Sequence, residues 1–454
     1  MNFPTINRPT ATLAGAAIVE RALLGVATFA VTILLGRWGG PEDLGLFIIF
    51  FPLLFVAIAI QESLITAPYT VYSAKHTDRD ARRGYLGGVL SNTLALSGTA
   101  AAVFAVAASV LFSIGKPAHG WVAASLAVAS PLVLLREFAR RVVYAELNPQ
   151  AAVAISGSVS LLQLAAMAAL HFSGRLNAAT SFAAMGASSA IVAAVWFFAN
   201  RRLIQFRNAP AVAAFQQNWS LGSWSVATQV GEIIRTQMFP WLLAIVANDA
   251  TAGIFGACAI IAALPTPLHT ALSNILLPQF VQRLKERGAA GADRLMWSAT
   301  GWLSGVMVAY FLVVAATGAW IVPAVFGPEY TGTQHAVIVL TLAQVFAGAS
   351  IPAARALFVL HRAEQVFYSH LAGIAVNLTF GVAFVYSWGI TGAAYATLAG
   401  AILKAWLGGR WYLAEARRQM NAAAASPLPA GPHGHRPSRL VDAAAAEAAL
   451  EEAT

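Results

Sequence analysis

The chain has 454 residues, 58% of them hydrophobic and only 10% charged, and its mean hydropathy is +0.67. So few polar side chains could not cover the surface of a water-soluble protein of this size. The formal net charge of +9 does not point to nucleic acid, because the basic residues fall in alternate loops, which is the pattern of membrane topology.

A helix needs about 20 mostly apolar residues to cross the hydrocarbon core of a bilayer. Twelve such stretches are predicted, at 11–36, 43–71, 85–114, 118–143, 151–173, 178–200, 219–247, 252–279, 295–325, 334–360, 366–387 and 390–413. The first does not read as a cleaved signal peptide, since Glu20 and Arg21 interrupt it and it runs on to Gly36. The expected fold is therefore all-α, a polytopic membrane protein of about twelve transmembrane helices.

Loops on one side carry Lys75, Arg79, Arg82 and Arg83, then Arg136, Arg140 and Arg141, then Arg201, Arg202 and Arg207, then Arg283, Lys285, Arg287 and Arg294, then Arg362. The opposite loops hold Arg37, Lys116 and Arg175. Basic loops stay in the cytoplasm. Arg8 before the first span and Arg410, Arg417 and Arg418 after the last place both termini there too, in a bacterial cytoplasmic (inner) membrane.

The spans divide into two six-helix lobes, 1–200 and 219–413, joined by a linker at 201–218 and followed by a tail at 414–454. Features recur at a spacing of roughly 210 residues, as in a duplicated fold. Gly45-Leu46-Phe47 answers Gly253-Ile254-Phe255, and the pair Gly84 and Gly88 answers Gly301 and Gly305. Gln163 answers Asn377, and Gly186 answers Gly400. The GxxxG pairs read first as close helix contacts.

Ionisable groups deep in a span cost about 2.5–3.5 kcal/mol each and need a partner or a watery cavity. Seven are placed there: Glu20, Arg21, Glu62, Glu232, Arg235, Arg355 and Lys404. Glu232 and Arg235 share a helical face and can pair. Glu62 shares a face with Thr66 and Tyr69, making a polar stripe down the second span. The cations Arg21, Arg235, Arg355 and Lys404 suit an anionic headgroup, above all a phosphate. Glu20, Glu62 and Glu232 are the candidates for balancing that charge or for coupling to H+ or Na+. Gln163 and Asn377 are candidate sugar contacts, with interhelical hydrogen bonding as their commoner use.

The single cysteine, Cys258, leaves no internal disulfide. No phosphate-binding GxxxxGK[ST] and no His/Cys cluster of metal spacing occurs, so neither cofactor nor enzymatic activity is expected. Most tryptophans, among them Trp219, Trp241, Trp297, Trp302, Trp320, Trp388 and Trp406, fall near span ends as interfacial anchors. Residues 421–437, rich in Ala, Pro and Gly, read as a flexible linker, and Ser438 to Ala453 as a short acidic helix or an unstructured tail.

Three junctions carry a family resemblance: Arg37-Trp38-Gly39-Gly40-Pro41-Glu42-Asp43-Leu44-Gly45-Leu46-Phe47, Phe326-Gly327-Pro328-Glu329-Tyr330, and Trp388-Gly389-Ile390-Thr391-Gly392-Ala393-Ala394-Tyr395-Ala396-Thr397. In order and position they resemble the polysaccharide-transporter branch of the multidrug, oligosaccharidyl-lipid and polysaccharide exporter superfamily. That resemblance implies a flippase moving polyprenyl-diphosphate-linked oligosaccharide repeat units for O-antigen, capsule or exopolysaccharide. It also implies polysaccharide polymerase or assembly proteins as partners. Multidrug exporters of the same superfamily share the twelve-span plan, so a cation-coupled exporter of organic cations is the alternative. The junctions are scaffold turns and carry over no site residues.

Overall fold

The structure is a computed structural model and describes residues 8–73, 79–201 and 211–425. Lys75, Arg202, Arg207 and the tail with its acidic segment lie outside the described residues. In chain order come α1 (Arg8–Gln61), a π-helical turn (Glu62–Thr66), α2 (Ala67–Ser73), α3 (Arg79–Ser113), α4 (Pro117–Ala145), α5 (Pro149–Phe172) and α6 (Ala178–Asn200). The second half holds α7 (Ala211–Val246), α8 (Asp249–Ala262), α9 (Thr266–Phe326), a 3-10 turn (Pro328–Tyr330), α10 (Gln334–Val359) and α11 (Ala363–Ala425).

Eight helices among the described residues are long and apolar enough to cross a membrane. Three of them run for 52, 61 and 59 residues. At 1.5 Å per residue each is far longer than the roughly 30 Å hydrocarbon core. Each breaks at one glycine in the left-handed region: Gly40 in α1 (φ 83°), Gly288 in α9 (φ 61°) and Gly389 in α11 (φ 54°). Glycine alone adopts this backbone without a Cβ clash. Loops expected between spans 1 and 2, 8 and 9, and 11 and 12 are thus breaks at single glycines.

Other boundaries follow from capping. Asn148, Asn177 and Asn248 accept the backbone N–H groups of Ala151, Thr180 and Thr251, and Pro117 and Pro149 open α4 and α5. Two expected boundaries shift: α7 begins at Ala211, inside the expected linker, and α11 continues through the start of the expected tail. Large apolar side chains such as Phe172, Phe198, Ile245 and Trp320 point outward, as lipid-facing surfaces do.

One turn geometry recurs in the backbone at a constant interval. Leu147 (φ 55°) and His361 (φ 54°) are the described non-glycine residues with positive φ. They occupy equivalent turns, α4 to α5 and α10 to α11. The three turn hydrogen bonds Glu146 to Val142, Leu147 to Tyr144 and Asn148 to Val143 recur as Leu360 to Ala356, His361 to Phe358 and Arg362 to Leu357. Each bond of the second set is the first displaced by one constant interval.

The halves meet along a seam of matched glycines. A methyl group on Gly45 would stand 1.8 Å from the Asp249 carbonyl oxygen, and one on Gly253 would stand 2.0 Å from that of Pro41. Each glycine thus faces the carbonyl four residues before its counterpart, the reciprocity of a two-fold contact. The expected contact of the second GxxxG pair is not made: space is open within 4 Å of a methyl group at Gly301 and Gly305, as it is at Gly84, whereas Gly88 is buried. Gly186 does pack closely, 2.8 Å from the Ala129 Cα.

Candidate functional site

In the second half, Arg235 Nε donates to Glu232 Oε2 at 2.8 Å within α7. Lys404 and His370 of α11 lie within Coulombic reach of this pair, and His269 of α9 lies within reach of Lys404. The two parts of α11 bring Lys404 and His370 together by crossing at glycine. A methyl group at Gly373 would lie 3.3 Å from the Gly400 carbonyl oxygen and 3.9 Å from Lys404 Cβ, and His370 sits one turn away on the same face. The Oδ1 of Asn377 is buried at this crossing without a described hydrogen-bond partner. The site gathers two basic side chains and an imidazole around one carboxylate.

In the first half, Glu20 is 3% exposed. It accepts hydrogen bonds from Ser156 Oγ (2.6 Å), the Tyr144 hydroxyl (2.7 Å) and Arg140 (3.2 Å). Arg140 also donates to Glu137 at 2.6 and 2.8 Å, and Arg136 pairs with Glu137 at 2.9 Å. Two carboxylates and two guanidinium groups therefore form a balanced buried network tying α1 to α4 and α5. Ser156 and His370 are separated by the same interval as Leu147 and His361, so the acidic side chains on α1 and α7 face equivalent positions.

The remaining sequence candidates have other surroundings. Arg21 is exposed on α1 and makes no ion pair among the described residues. Arg355 Nε donates to Ser273 Oγ at 2.5 Å, and its guanidinium lies 5.8 Å from the Phe358 ring centre. Gln163 is half-buried on α5. Glu62 pairs with Arg141. The expected stripe of Glu62, Thr66 and Tyr69 does not form, because the π-helical turn widens the repeat: Thr66 and Tyr69 are buried while Glu62 is partly exposed.

The sequence reading missed Glu137, Tyr144, Ser156, His269 and His370 as site residues and treated Arg136 and Arg140 as topology markers only. A signal for the first group was present: Glu137 precedes Arg140 and Arg141 by three and four residues, the helical pairing distance.

Contacts between the halves frame these sites. At the seam end, Arg37 donates to the Ala324 carbonyl at 2.8 Å, the Tyr330 hydroxyl donates to that of Gly36 at 3.1 Å, and His119 lies 3.2 Å from Asp249. Burial, reinforced by the Glu329 and Asp43 carboxylates, pushes the Tyr330 hydroxyl pKa up and keeps it a donor. Trp241, expected as an interfacial anchor, instead donates to the Ile49 carbonyl at 3.0 Å across the same seam. Further along, Gln229 Nε2 donates to Ser63 Oγ at 2.7 Å and Ser225 lies 3.0 Å from it, where α7 rests on the π-helical turn.

No family model and no curated protein matches the sequence. Solved structures do match the fold. An inward-facing multidrug resistance MATE family transporter of the MOP superfamily superposes with a TM-score of 0.71 and 16% identity, over 90% of this chain and 99% of that one. The lipid II flippase MurJ in an inward closed conformation gives 0.68 and 12%, over 93% and 94%. A MOP superfamily transporter from Pyrococcus furiosus gives 0.57 and 14%, over 90% and 95%. The chain shares the fold of these structures, which are transporters, not enzymes.

Proposed function

We propose that this chain is an alternating-access flippase of the bacterial cytoplasmic membrane, moving polyprenyl-diphosphate-linked oligosaccharides for surface polysaccharide. In this reading α1 with α2, α9 and α11 cross twice each, α8 sharing the first crossing of α9, and α3, α4, α5, α6, α7 and α10 cross once each, which makes twelve crossings. They form two lobes, 1–200 and 219–413, with both termini in the cytoplasm. The observation that carries it is the meeting of Arg235, Lys404 and His370 around a single carboxylate, Glu232. Such a site offers a diphosphate more positive than negative charge, and the Arg235 guanidinium, which pairs through two nitrogens with Glu232, would turn from that carboxylate to the ligand. Asn377, buried and unpartnered beside it, would hydrogen-bond the sugar. Arg21 and Arg355, on other surfaces, would meet the substrate only as the lobes move. Polymerase or assembly proteins would receive the product.

The buried Glu20 network favours a second reading, a cation-coupled exporter of organic cations in which the carboxylates matter and the cluster cations do not. Mass spectrometry of polyprenyl-diphosphate-linked sugars, in cells with and without the gene, separates the two. Accumulated lipid-linked repeat units, cleared by the wild-type gene and not by Arg235→Gln or Lys404→Gln, support the flippase. An unchanged pool with altered resistance to lipophilic cations supports the exporter.

A further inference from the structure

The second part of α11 sorts its charges onto opposite faces. Lys404 lies on the inward face with the buried Tyr412 and Glu415, whose side chains meet Asp293 and Arg362. Thr391, Tyr395, Ile402, Trp406, Arg410, Leu413 and Arg417 follow one another at steps of three, four or seven residues on the outward face, and Trp388 stands just before the break at Gly389. Two shallow hollows lie on that face. One, of about 280 Å³, is lined by Trp388, Thr391 and Tyr395. The other, of about 550 Å³, has Trp406, Arg410, Leu413 and Arg417 around it, with Gly409 and Ala414 leaving room between them.

We infer that the larger hollow is a binding site for an anionic phospholipid, its headgroup phosphate held by Arg410 and Arg417 and its acyl chains lying along α11 toward Trp388. Depth supports this. About 24 Å of unbroken helix runs from Ile390, just past the break beside Trp388, to Trp406, most of the roughly 30 Å hydrocarbon core, so the two exposed indoles lie near its borders. Arg410 sits one turn past Trp406 and Arg417 two turns further, at the level of headgroups.

Charge supports it as well. The Arg410 guanidinium lies 5.3 Å from the Trp406 ring centre, which holds it against the hollow. Neither Arg410 nor Arg417 has an ion pair among the described residues, because the nearby Glu415 is buried and engaged by Arg362 at 3.1 Å. Both guanidinium groups keep their full charge for a ligand. The face points away from Lys404, so the site is separate from the proposed transport site.

Native mass spectrometry of the full chain in detergent, titrated with phosphatidylglycerol or with phosphatidylcholine of the same acyl chains, tests the assignment. Wild type should retain phosphatidylglycerol preferentially. Arg410→Gln combined with Arg417→Gln should weaken that retention by tenfold or more, on the order expected for two lost surface cations. Trp406→Ala should weaken it less, and Arg294→Gln, at another exposed arginine, should leave it unchanged. Equal retention of the two lipids by wild type, or unchanged retention in the double variant, would overturn the inference. So would displacement of the lipid by glycerol 3-phosphate, which would make this a site for a free anion. Loss of the preference on deleting residues 426–454, with both arginines present, would overturn it in favour of a site made by the tail.

Discussion

At the scale of single residues, the decisive side chains are charged groups that the membrane should exclude. Glu20 is tolerated because Arg140, Tyr144 and Ser156 satisfy it. Breaking a buried ion pair by removing one partner typically costs about 3–5 kcal/mol. Arg140 keeps Glu137 as a second carboxylate, so Glu20→Ala should fall near or below the lower end of that range. The measurement is the thermal midpoint of the purified protein in detergent, and an unchanged midpoint would mean that Glu137 alone holds Arg140. Lys404→Gln should leave the midpoint near wild type and abolish transport; full transport in that variant would remove Lys404 from the site. Sequence showed Glu20, Glu232, Arg235 and Lys404 as anomalies because a charge inside an apolar run is costly wherever it points. Arg140 was hidden because topology already explains a basic residue at a span end, and its partner is 120 residues away.

At the scale of helices, glycine placement and one π-helical turn decide what touches what. Gly45 and Gly253 leave no room for a side chain, whereas Gly301 and Gly305 face open space. Gly45→Leu or Gly253→Leu should therefore prevent folding or collapse yield, and Gly301→Leu should be silent, as judged by the monodisperse peak in size-exclusion chromatography. The motif pattern suggested otherwise, since GxxxG spacing identifies a smooth helix face and not the neighbour that uses it. The turn at Glu62–Thr66 presents Ser63 to Ser225 and Gln229. In a Cys258→Ala background, Ser63→Cys with Ser225→Cys should form a disulfide under mild oxidation. If transport requires this contact to open, cross-linking should stop it and reduction restore it; transport by the cross-linked protein would show that α7 and the π turn move as one body.

For the molecule as a whole, the two halves are linked at one end of the seam by a few hydrogen bonds to backbone carbonyls near helix ends. Arg37 and Tyr330 make two of these links, each between helices of different halves. Alternating access as proposed must break them, so Arg37→Ala with Tyr330→Phe should favour opening at this end. Labelling of a cysteine placed at Asp249 should then rise several-fold over the same cysteine in the otherwise unaltered chain; equal labelling would show that glycine packing alone keeps the seam shut.

The sequence by itself determined that this is an all-helical membrane protein and which side chains are out of place in it. It also carried matched motifs, such as those at Gly45 and Gly253, from which a repeat of the two halves is expected. Those properties are local: hydropathy, charge cost and glycine chemistry act through each residue and its near neighbours along the chain. Only the tertiary structure decided which partners answer them. It joined Glu20 to Arg140 and brought Lys404 and His370 to Glu232. It also turned three expected loops into breaks at Gly40, Gly288 and Gly389. Such pairings depend on helix crossings between segments far apart in the chain, and one span's composition is the same whichever helix lies beside it.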